Sequence, residues 1–365
     1  KNQLKNKNHK YKANFPKYMQ IILAFFLIML NIIAGILPAT FIIMLFLYDG
    51  IQILHIESFI FVMKVLLCCT SFALCLYIIL DALLGFAVFS KTKKLQKYQH
   101  SMRYGKICQK PFDEIKEIFK IPETQLLISP NAQEKTCTVS SIGKSCICIT
   151  TGTLYSMRIK TQSDEEFQEV IKAILARQFV IIATGDTIIQ KMFEINTLIV
   201  RIAKSTNTIF FKFCGKILSI IPVIGITLQK ICHTANKSIV AFLEVINVSL
   251  MIVYKVFTSI TAGRDECYYD ATASEIVGGA SVAKALSFTE KPDDKFFSTS
   301  TNIHKRIKKS AGIEKKEKFS FDGSFQKTIL FISIIALFCL LFFLAYEIKI
   351  WRIFHFGEYF LSSVQ

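Results

Sequence analysis

Residues 163–186 read SDEEFQEVIKAILARQFVIIATGD, and they hold the clearest helix signal in the chain. Apolar side chains recur there at intervals of three and four residues, the spacing of a helix with one face in a core. Ser163 followed by Glu166 forms a capping box, which marks the start of the helix. The stretch therefore predicts a helix that stays buried deep into its C-terminal half. Its apolar positions are Phe167, Val170, Ile171, Ile174, Leu175, Ile181 and Ile182.

The composition indicates a membrane protein. The chain has 365 residues, 52% of them hydrophobic, and its mean hydropathy is +0.43. The apolar residues are gathered in long runs, unlike those of an ordinary soluble domain. The formal net charge of +17 is then explained by positive-inside topology and by contact with anionic lipid. No DNA- or RNA-binding motif accompanies that charge, so we expect no nucleic-acid partner.

Two apolar runs near the N-terminus predict a transmembrane hairpin. They cover about residues 18–47 and 59–89, and one span needs about 20 residues. Lysines precede the first run and follow the second, whereas the loop between them carries neither Lys nor Arg. Both ends of the hairpin are therefore expected in the cytoplasm. Lys64 and Asp81 lie within the second run, either as functional charges at membrane depth or as interfacial residues.

The remaining chain divides by composition. Residues 91–194 predict the front half of a cytoplasmic domain, with a helix at 112–119 and strands at 125–129, 137–140 and 145–150. We assign the whole chain as a basic cytoplasmic tail (1–17), a transmembrane hairpin (18–90), the front half of the domain (91–194), two membrane-associated helices (195–260, with apolar runs at 209–228 and 239–260), the back half of the domain (261–290), a charged mobile linker (291–325), a C-terminal transmembrane helix (326–347) and an interfacial tail (348–365).

Four short motifs follow one another in a characteristic order. Thr151-Gly152-Thr153-Leu154 ends the third predicted strand, and the acidic residues 164–166 come next. Ala183-Thr184-Gly185-Asp186 ends the predicted helix, and residues 264–273, RDECYYDATA, follow two apolar runs. This order resembles the HtpX family of membrane-embedded zinc metallopeptidases, and the resemblance covers about residues 18–290.

The resemblance implies a fold and a set of site positions. The fold would be an α+β zincin-like (gluzincin) domain at the cytoplasmic face of a multi-span α-helical membrane protein, with an edge strand that holds extended substrate. Counting back from the Gly-Asp tail places the family's His-Glu-x-x-His motif on Arg177, Gln178 and Ile181. Glu266 matches the family's third zinc ligand, and Asp270 matches the carboxylate that supports it.

The three motif positions no longer carry the residues that zinc chemistry requires. Two histidines four residues apart hold one zinc ion, and the Glu beside the first takes a proton from zinc-bound water. Arg177 is a permanent cation, and Ile181 has no lone pair to donate. Gln178 has the shape of Glu without its carboxylate. We therefore predict no catalytic residue, no metal site and no cofactor. In the alternative, the protein binds zinc at a non-standard metal site.

A second hypothesis concerns what replaced the metal. The Arg177 guanidinium would pair with Glu266 where zinc once joined the two positions, and this one cation would neutralise Glu266 and Asp270 together. In the alternative, Arg177 points to solvent and Glu266 is an ordinary surface or capping acid. The pairing is favoured by the cost of burying a charge without a partner.

Other residues give weaker indications. The six histidines are scattered without ligand spacing, and the 11 cysteines are expected as reduced, mostly buried thiols. Gly278-Gly279 predicts a turn or a close helix contact. Lys64 and Asp81, together with Lys212 and Lys216, would line a polar pathway if the protein were a transporter.

Taken together, these features predict an HtpX-like integral membrane pseudopeptidase. It would lack proteolytic activity, and it would bind or regulate membrane proteins or protease subunits at the lipid bilayer. The expected location is a bacterial inner membrane, with the domain facing the cytoplasm. The alternative within the same family is an active membrane zinc metalloendopeptidase with a non-standard metal site.

Overall fold

We describe the fold from a computed structural model of the chain. The residues that it describes are 9–10, 15–47, 56–85, 88–89, 103–121, 123–141, 144–289, 303–316, 319, 321–322 and 335. They are mostly helical, with one small three-stranded sheet. The helices are α1 (Phe15–Leu47), α2 (Ile56–Leu84), α3 (Arg103–Phe119), α4 (Thr151–Lys160), α5 (Asp164–Ala183), α6 (Asp186–Leu218), α7 (Gly225–Val277), α8 (Gly279–Thr289) and α9 (Ile303–Ala311), and the strands are β1 (His9–Lys10), β2 (Thr124–Ser129), β3 (Thr136–Ser140), β4 (Ser145–Thr150) and β5 (Phe321–Asp322).

The small sheet has the order β2-β4-β3, with the fully buried strand β4 in the centre. Strand β2 runs parallel to β4, in a register that sets Leu126 beside Ile147. Strand β3 runs antiparallel to β4 and forms one edge of the sheet. The alternation of strand residues sends Ile147 and Ile149 to the core face. The three predicted strands are confirmed to within one residue, whereas α3 begins nine residues before the predicted helix.

Helix α5 packs on this sheet, as its apolar periodicity predicts. The Ser163 side chain accepts a hydrogen bond from the Glu166 amide at 3.1 Å, and the Glu166 carboxylate accepts one from the Gln162 amide at 2.5 Å. These two contacts confirm the predicted helix start. Along the helix, Phe179 stacks on Phe119 of α3, with ring centroids 5.5 Å apart. The result is a single core between α5, α3 and one face of the sheet.

The chain forms two compact units, which we describe separately. The first comprises residues 1–20, 78–191 and 255–331, and it contains the sheet and the core just described. The second comprises residues 21–77, 192–254 and 332–365. Its described part is helical, with Asn31 of α1 donating a buried hydrogen bond to Asn196 of α6 at 2.5 Å.

Among the described residues, three helices are long and apolar enough to cross a membrane. The segments are Tyr18–Leu37, Phe59–Asp81 and Gly225–Val256, and α5 with α6, bent by 63° between them, could form a fourth. The first two lie within the predicted transmembrane hairpin. The predicted C-terminal span and interfacial tail lie outside the described residues, apart from Ile335.

The structure corrects the prediction for residues 195–260. The apolar run at 209–228 is not one helix, because α6 ends at Leu218 and α7 begins at Gly225. Pro222 lies in this turn, where it cannot donate a helical hydrogen bond. The second run, 239–260, lies inside α7, which continues to Val277. The predicted boundary at residue 260 therefore falls within a single helix.

Two predicted surface segments contain ordered elements. Helix α9 lies inside the segment predicted to be a mobile linker, and its first and fifth residues, Ile303 and Ile307, pack on the core. The linker prediction is therefore wrong for α9. Five of the nine residues of this helix are charged or histidine, but Ile303 and Ile307, one turn apart, form an apolar face that packs on the core. In the basic tail, His9–Lys10 pairs with Phe321–Asp322 as a short parallel bridge.

Candidate functional site

Helix α5 carries Arg177, Gln178 and Ile181, the three positions that the sequence resemblance assigns to a zinc motif. Arg177 has a side chain that is 20% exposed, whereas Gln178 is buried. Ile181 is partly buried and packs against the hydrophobic core. These three side chains are thus buried or partly buried in the first unit.

Helix α7 carries Glu266 and Asp270, and it places Asp270 in contact with Arg177 of α5. They lie one turn apart on one helix face, as their spacing of four predicts. Asp270 is almost completely buried, and the Glu266 side chain is 25% exposed. A buried carboxylate requires cationic or hydrogen-bonding partners, since removing a charge from water costs several kcal/mol.

Arg306 of α9 supplies most of those partners. Its Nε donates to Asp270 Oδ2 at 2.6 Å, and its Nη2 donates to Asp270 Oδ1 at 3.1 Å. Its Nη1 donates to Glu266 Oε2 at 3.1 Å. This two-pronged contact with Asp270 is the strongest geometry for an arginine and a carboxylate. The Arg306 side chain is only 1% exposed, so it fills the site instead of reaching it from solvent.

Arg177 completes the arrangement, because its Nε donates to Asp270 Oδ1 at 2.9 Å. We call Arg177, Glu266, Asp270 and Arg306 the charge cluster. It contains two guanidinium groups and two carboxylates, so its formal charges cancel. Three helices that are remote in sequence, α5, α7 and α9, meet in it.

A close backbone contact keeps α9 in place. A Cβ atom at Gly279 would lie 2.1 Å from the Ser310 carbonyl oxygen and 2.6 Å from that of Ile313. The Gly279 amide donates to Ile313 O at 3.1 Å. The predicted close helix contact at Gly278-Gly279 is confirmed. The position of Arg306 therefore depends on Gly279, because any larger residue there would overlap the backbone that follows Arg306.

The Gly-Asp tail of the helix motif has a structural role beside the charge cluster. The Tyr269 hydroxyl donates to the Asp186 carboxylate, and Thr184 Oγ1 donates to the same Oδ2 atom at 2.5 Å. Tyr269 directly precedes Asp270 on α7. The contact therefore ties the end of α5 to the helix turn that carries the buried carboxylate.

Little free space remains beside the motif positions. A cavity of about 20 Å³ lies between the start of β3, α5 and α8, and its lining includes Thr136, Arg177 and Gln178. A cavity of this size holds one water molecule. In this arrangement it has no room for a peptide segment.

The residues at this place do not fit a zinc ion. Zinc needs lone pairs from about three protein side chains, and Arg177 and Ile181 provide none. The two carboxylates that could contribute are engaged by guanidinium groups. Among the described residues, no group of three His, Cys, Asp or Glu side chains is placed to hold a metal. Whether the protein carries zinc stays a prediction.

The predicted contact between Arg177 and Asp270 is confirmed, since Arg177 Nε donates to the Asp270 carboxylate. The predicted pair of Arg177 and Glu266 stays a prediction. Arg306, which was not predicted, contacts both Glu266 and Asp270. Sequence reasoning missed Arg306, because the segment that carries it was assigned to a linker. The helical spacing of Ile303, Arg306, Ile307 and Ser310 is the signal that could have found it.

The charged residues of the alternative polar pathway have different surroundings. Asp81 is completely buried, and it forms an ion pair with Lys191 and accepts a hydrogen bond from Ser141 at 3.2 Å. Asp81 is therefore a paired structural charge within the first unit. Lys212 and Lys216 are exposed at the end of α6.

The nine cysteines whose side chains the structure describes all have free thiols. Burial raises the pKa of the Cys108 and Cys146 thiols to about 12. Cys137 and Cys148 are directly opposite each other across β3 and β4. The pKa of Cys148 is raised, first by its hydrogen bond with Cys137 and then by burial. These thiols are weak nucleophiles, because the reactive form is the thiolate.

No family model matches the chain, and neither the characterised proteins nor the solved structures include a match.

Proposed function

We propose that the protein is an HtpX-like integral membrane pseudopeptidase, which binds or regulates membrane proteins or protease partners without cutting them. The observation that carries this proposal is the charge cluster, in which guanidinium groups engage both carboxylates, at the positions that the family resemblance assigns to a zinc site. The order of motifs along the chain and the three long apolar helices support the family and the membrane location.

Charge balance explains how such a site keeps its shape without a metal. A zinc ion would bring two positive charges to Glu266 and Asp270. Arg177 and Arg306 bring the same total charge, and their planar groups also satisfy the carboxylate oxygens by hydrogen bonds. The substitution removes the Lewis acid and keeps the attraction between helices α5 and α7.

The arrangement of the sheet also supports a zincin-like scaffold. Strand β3 is an antiparallel edge strand, and its first residue, Thr136, lines the same small cavity as Arg177 and Gln178. In the HtpX family an edge strand beside the active site holds extended substrate. Here the cavity is nearly closed, so a bound protein would have to be held elsewhere on the domain surface or at the membrane helices.

Reconstruction of the metal site tests the scaffold. We would measure zinc per chain in detergent-purified protein by elemental analysis, for the wild type and for a variant with Arg177→His, Gln178→Glu, Ile181→His and Arg306→Ala. The wild type is expected to hold almost no zinc, and the variant about one ion per chain, since it regains three ligands with Glu266. The same variant with Glu266→Gln is the matched control and is expected to lose the metal.

Two results would overturn the proposal. Stoichiometric zinc in the wild type that Glu266→Gln removes would favour an active metalloendopeptidase with a non-standard site, and cleavage of an unfolded membrane protein would confirm it. A rebuilt variant that unfolds like the wild type but takes up no zinc would argue against the zincin-like scaffold.

A further inference from the structure

The second unit contains a helical hairpin with an apolar turn. Helix α6 ends at Leu218, α7 begins at Gly225, and we call residues 219–224 between them the hairpin tip. All of its side chains are exposed, and all except Ser219 are apolar, with Ile220 at 79% and Val223 at 99% exposure. Val223 also has a φ of +70°, a costly conformation for a β-branched residue. Neither the exposure of Val223 nor its unfavourable backbone conformation stabilises the fold.

Lysines surround the hairpin tip without acidic residues. No Asp or Glu occurs between Glu194 and Glu244. The last turns of α6 carry Lys212 and Lys216, and the first turns of α7 carry Lys230 and Lys237, all exposed. Within the part of the chain that the structure describes, none of these four lysines forms an ion pair.

A cavity of about 780 Å³ lies between the two helices beside the tip. This volume is in the range of sites for small organic ligands. Its lining combines three lysines (Lys212, Lys216 and Lys230), His233 and the apolar side chains of Ile209 and Phe213.

One buried polar atom points to a ligand. Asn236 lines the cavity and is 8% exposed, and its Oδ1 atom has no hydrogen-bond partner among the described residues. An unpaired buried acceptor is unfavourable, because it has lost its hydrogen bonds to water, so such atoms normally meet a donor. A ligand that carries a hydroxyl or amine would supply it.

We propose that this cavity binds the headgroup of an anionic phospholipid. The lysines contact its phosphate, Asn236 accepts a hydrogen bond from its hydroxyl or amine, and its acyl chains extend along the apolar side chains of the tip. The proposal rests on the membrane location proposed above, and it is independent of the lost peptidase chemistry.

The apolar tip distinguishes a lipid from other anions. Lysines near a membrane surface attract anionic lipids, and an apolar turn beside them enters the boundary between headgroups and acyl chains. A nucleic acid or an acidic peptide would neutralise the lysines and leave Ile220 and Val223 in water. A phospholipid satisfies both the charges and the apolar surface.

Native mass spectrometry of the full chain in detergent tests the proposal. Phosphatidylglycerol and phosphatidylcholine with the same acyl chains are titrated into the wild type and into Lys212→Gln/Lys216→Gln/Lys230→Gln. We expect the wild type to prefer phosphatidylglycerol, and the triple variant to bind it at least about tenfold more weakly. The matched control, Lys305→Gln/Lys308→Gln/Lys309→Gln, removes three exposed lysines from α9 and is expected to bind like the wild type.

A second variant guards against loss of fold in the first. Asn236→Ala retains all four lysines, and it is expected to weaken phosphatidylglycerol binding by about threefold or more, through the lost headgroup contact. Its thermal unfolding in detergent is compared with that of the wild type. Unchanged affinity for phosphatidylglycerol in this variant would overturn the headgroup contact, and with it the assignment of the cavity.

Other results would also overturn the proposal. Equal binding of phosphatidylcholine would indicate a general acyl-chain surface, and an equal loss in the α9 control would indicate a net-charge effect. Displacement by inorganic phosphate at the same concentration would identify a phosphate site, and tighter binding of RNA or an acidic peptide would identify a polyanion site. Alkaline carbonate releases proteins that do not span the membrane, so extraction of the chain by this treatment would refute the proposed membrane location. Failure of the membrane location can therefore be distinguished from failure of the lipid site.

Discussion

The charge cluster and the hairpin tip both gather cations, and their surroundings are opposite. In the charge cluster, Arg306 is 1% exposed and bonded to both carboxylates. At the tip, the lysines are exposed in a stretch without an acid from Glu194 to Glu244. Buried charges need partners within the chain, whereas exposed unpaired charges are free for an external one. The comparison separates a buried cluster whose charges are paired within the chain from exposed lysines that form no ion pair among the described residues.

The energetics of the charge cluster follow from its burial. Replacing a complete buried ion network with apolar residues is often neutral, but removing one member leaves an uncompensated charge. Asp270 is the centre of this network, because both arginines donate to it. The network also explains why α9 folds back on the domain, although it follows a strongly charged segment.

The largest effect is expected from Arg306→Met. This change leaves Asp270 and Glu266 without their main cation, and it should lower the free energy of unfolding by about 3–5 kcal/mol. Thermal unfolding in detergent, followed by circular dichroism, measures it. The matched control is Lys305→Met, because Lys305 is the exposed neighbour on the same helix. If both variants unfold at the same temperature, the cluster is not a structural centre and the comparison fails.

A smaller loss is expected from Gly279→Ala. The added Cβ would overlap the Ser310 carbonyl oxygen at 2.1 Å, so α9 must shift and Arg306 with it. Such overpacking costs about 1–3 kcal/mol. Gly312→Ala is the control, since no atom lies within 4 Å of a Cβ built there. Equal stability of the two variants in chemical denaturation would show that α9 can move without disturbing the charge cluster.

At the hairpin tip, Val223→Gly should act in the opposite direction. Glycine adopts a φ of +70° without steric cost, whereas valine does not. The variant is expected to keep the stability of the wild type or to gain up to about 1 kcal/mol. It should bind phosphatidylglycerol vesicles more weakly, because it loses an exposed apolar side chain. A clear loss of stability in thermal unfolding would mean that Val223 serves the fold and not a ligand.

The smallest effect is expected at the exposed pair of Glu114 and Lys172. The hydrogen bond from Lys172 lowers the pKa of Glu114 below its usual value of 4.5. A carboxyl group whose pKa is lower in the folded state than in the unfolded state stabilises the protein at any pH above its unfolded-state pKa. This contribution disappears as the pH falls through its folded-state pKa. Glu114→Gln should therefore cost at most about 1 kcal/mol at pH 7, and this difference should vanish in acid. A difference in unfolding temperature that persists at low pH would contradict this assignment.

Periodicity predicted the local elements well, because they depend on neighbouring residues. The capping box at Ser163 and the strand at 145–150 were confirmed in the structure. The turn at Pro222 was missed because its flanks are as apolar as the helices around it. Helix α9 was missed for the opposite reason, since five of its nine residues are charged or histidine and only two isoleucines mark its buried face.

The sequence by itself determined the apolar runs, the strands and the buried helix α5, and it shows that Arg177 and Ile181 offer no metal-binding lone pair. Each of these follows from the identity and spacing of residues that are close together in the chain. Only the tertiary structure decided which cation meets which carboxylate. That pairing depends on α5, α7 and α9 converging from positions about 90 and 130 residues apart, and no local pattern encodes such a contact. Arg306 therefore became visible as part of the site only when α9 was placed against α7.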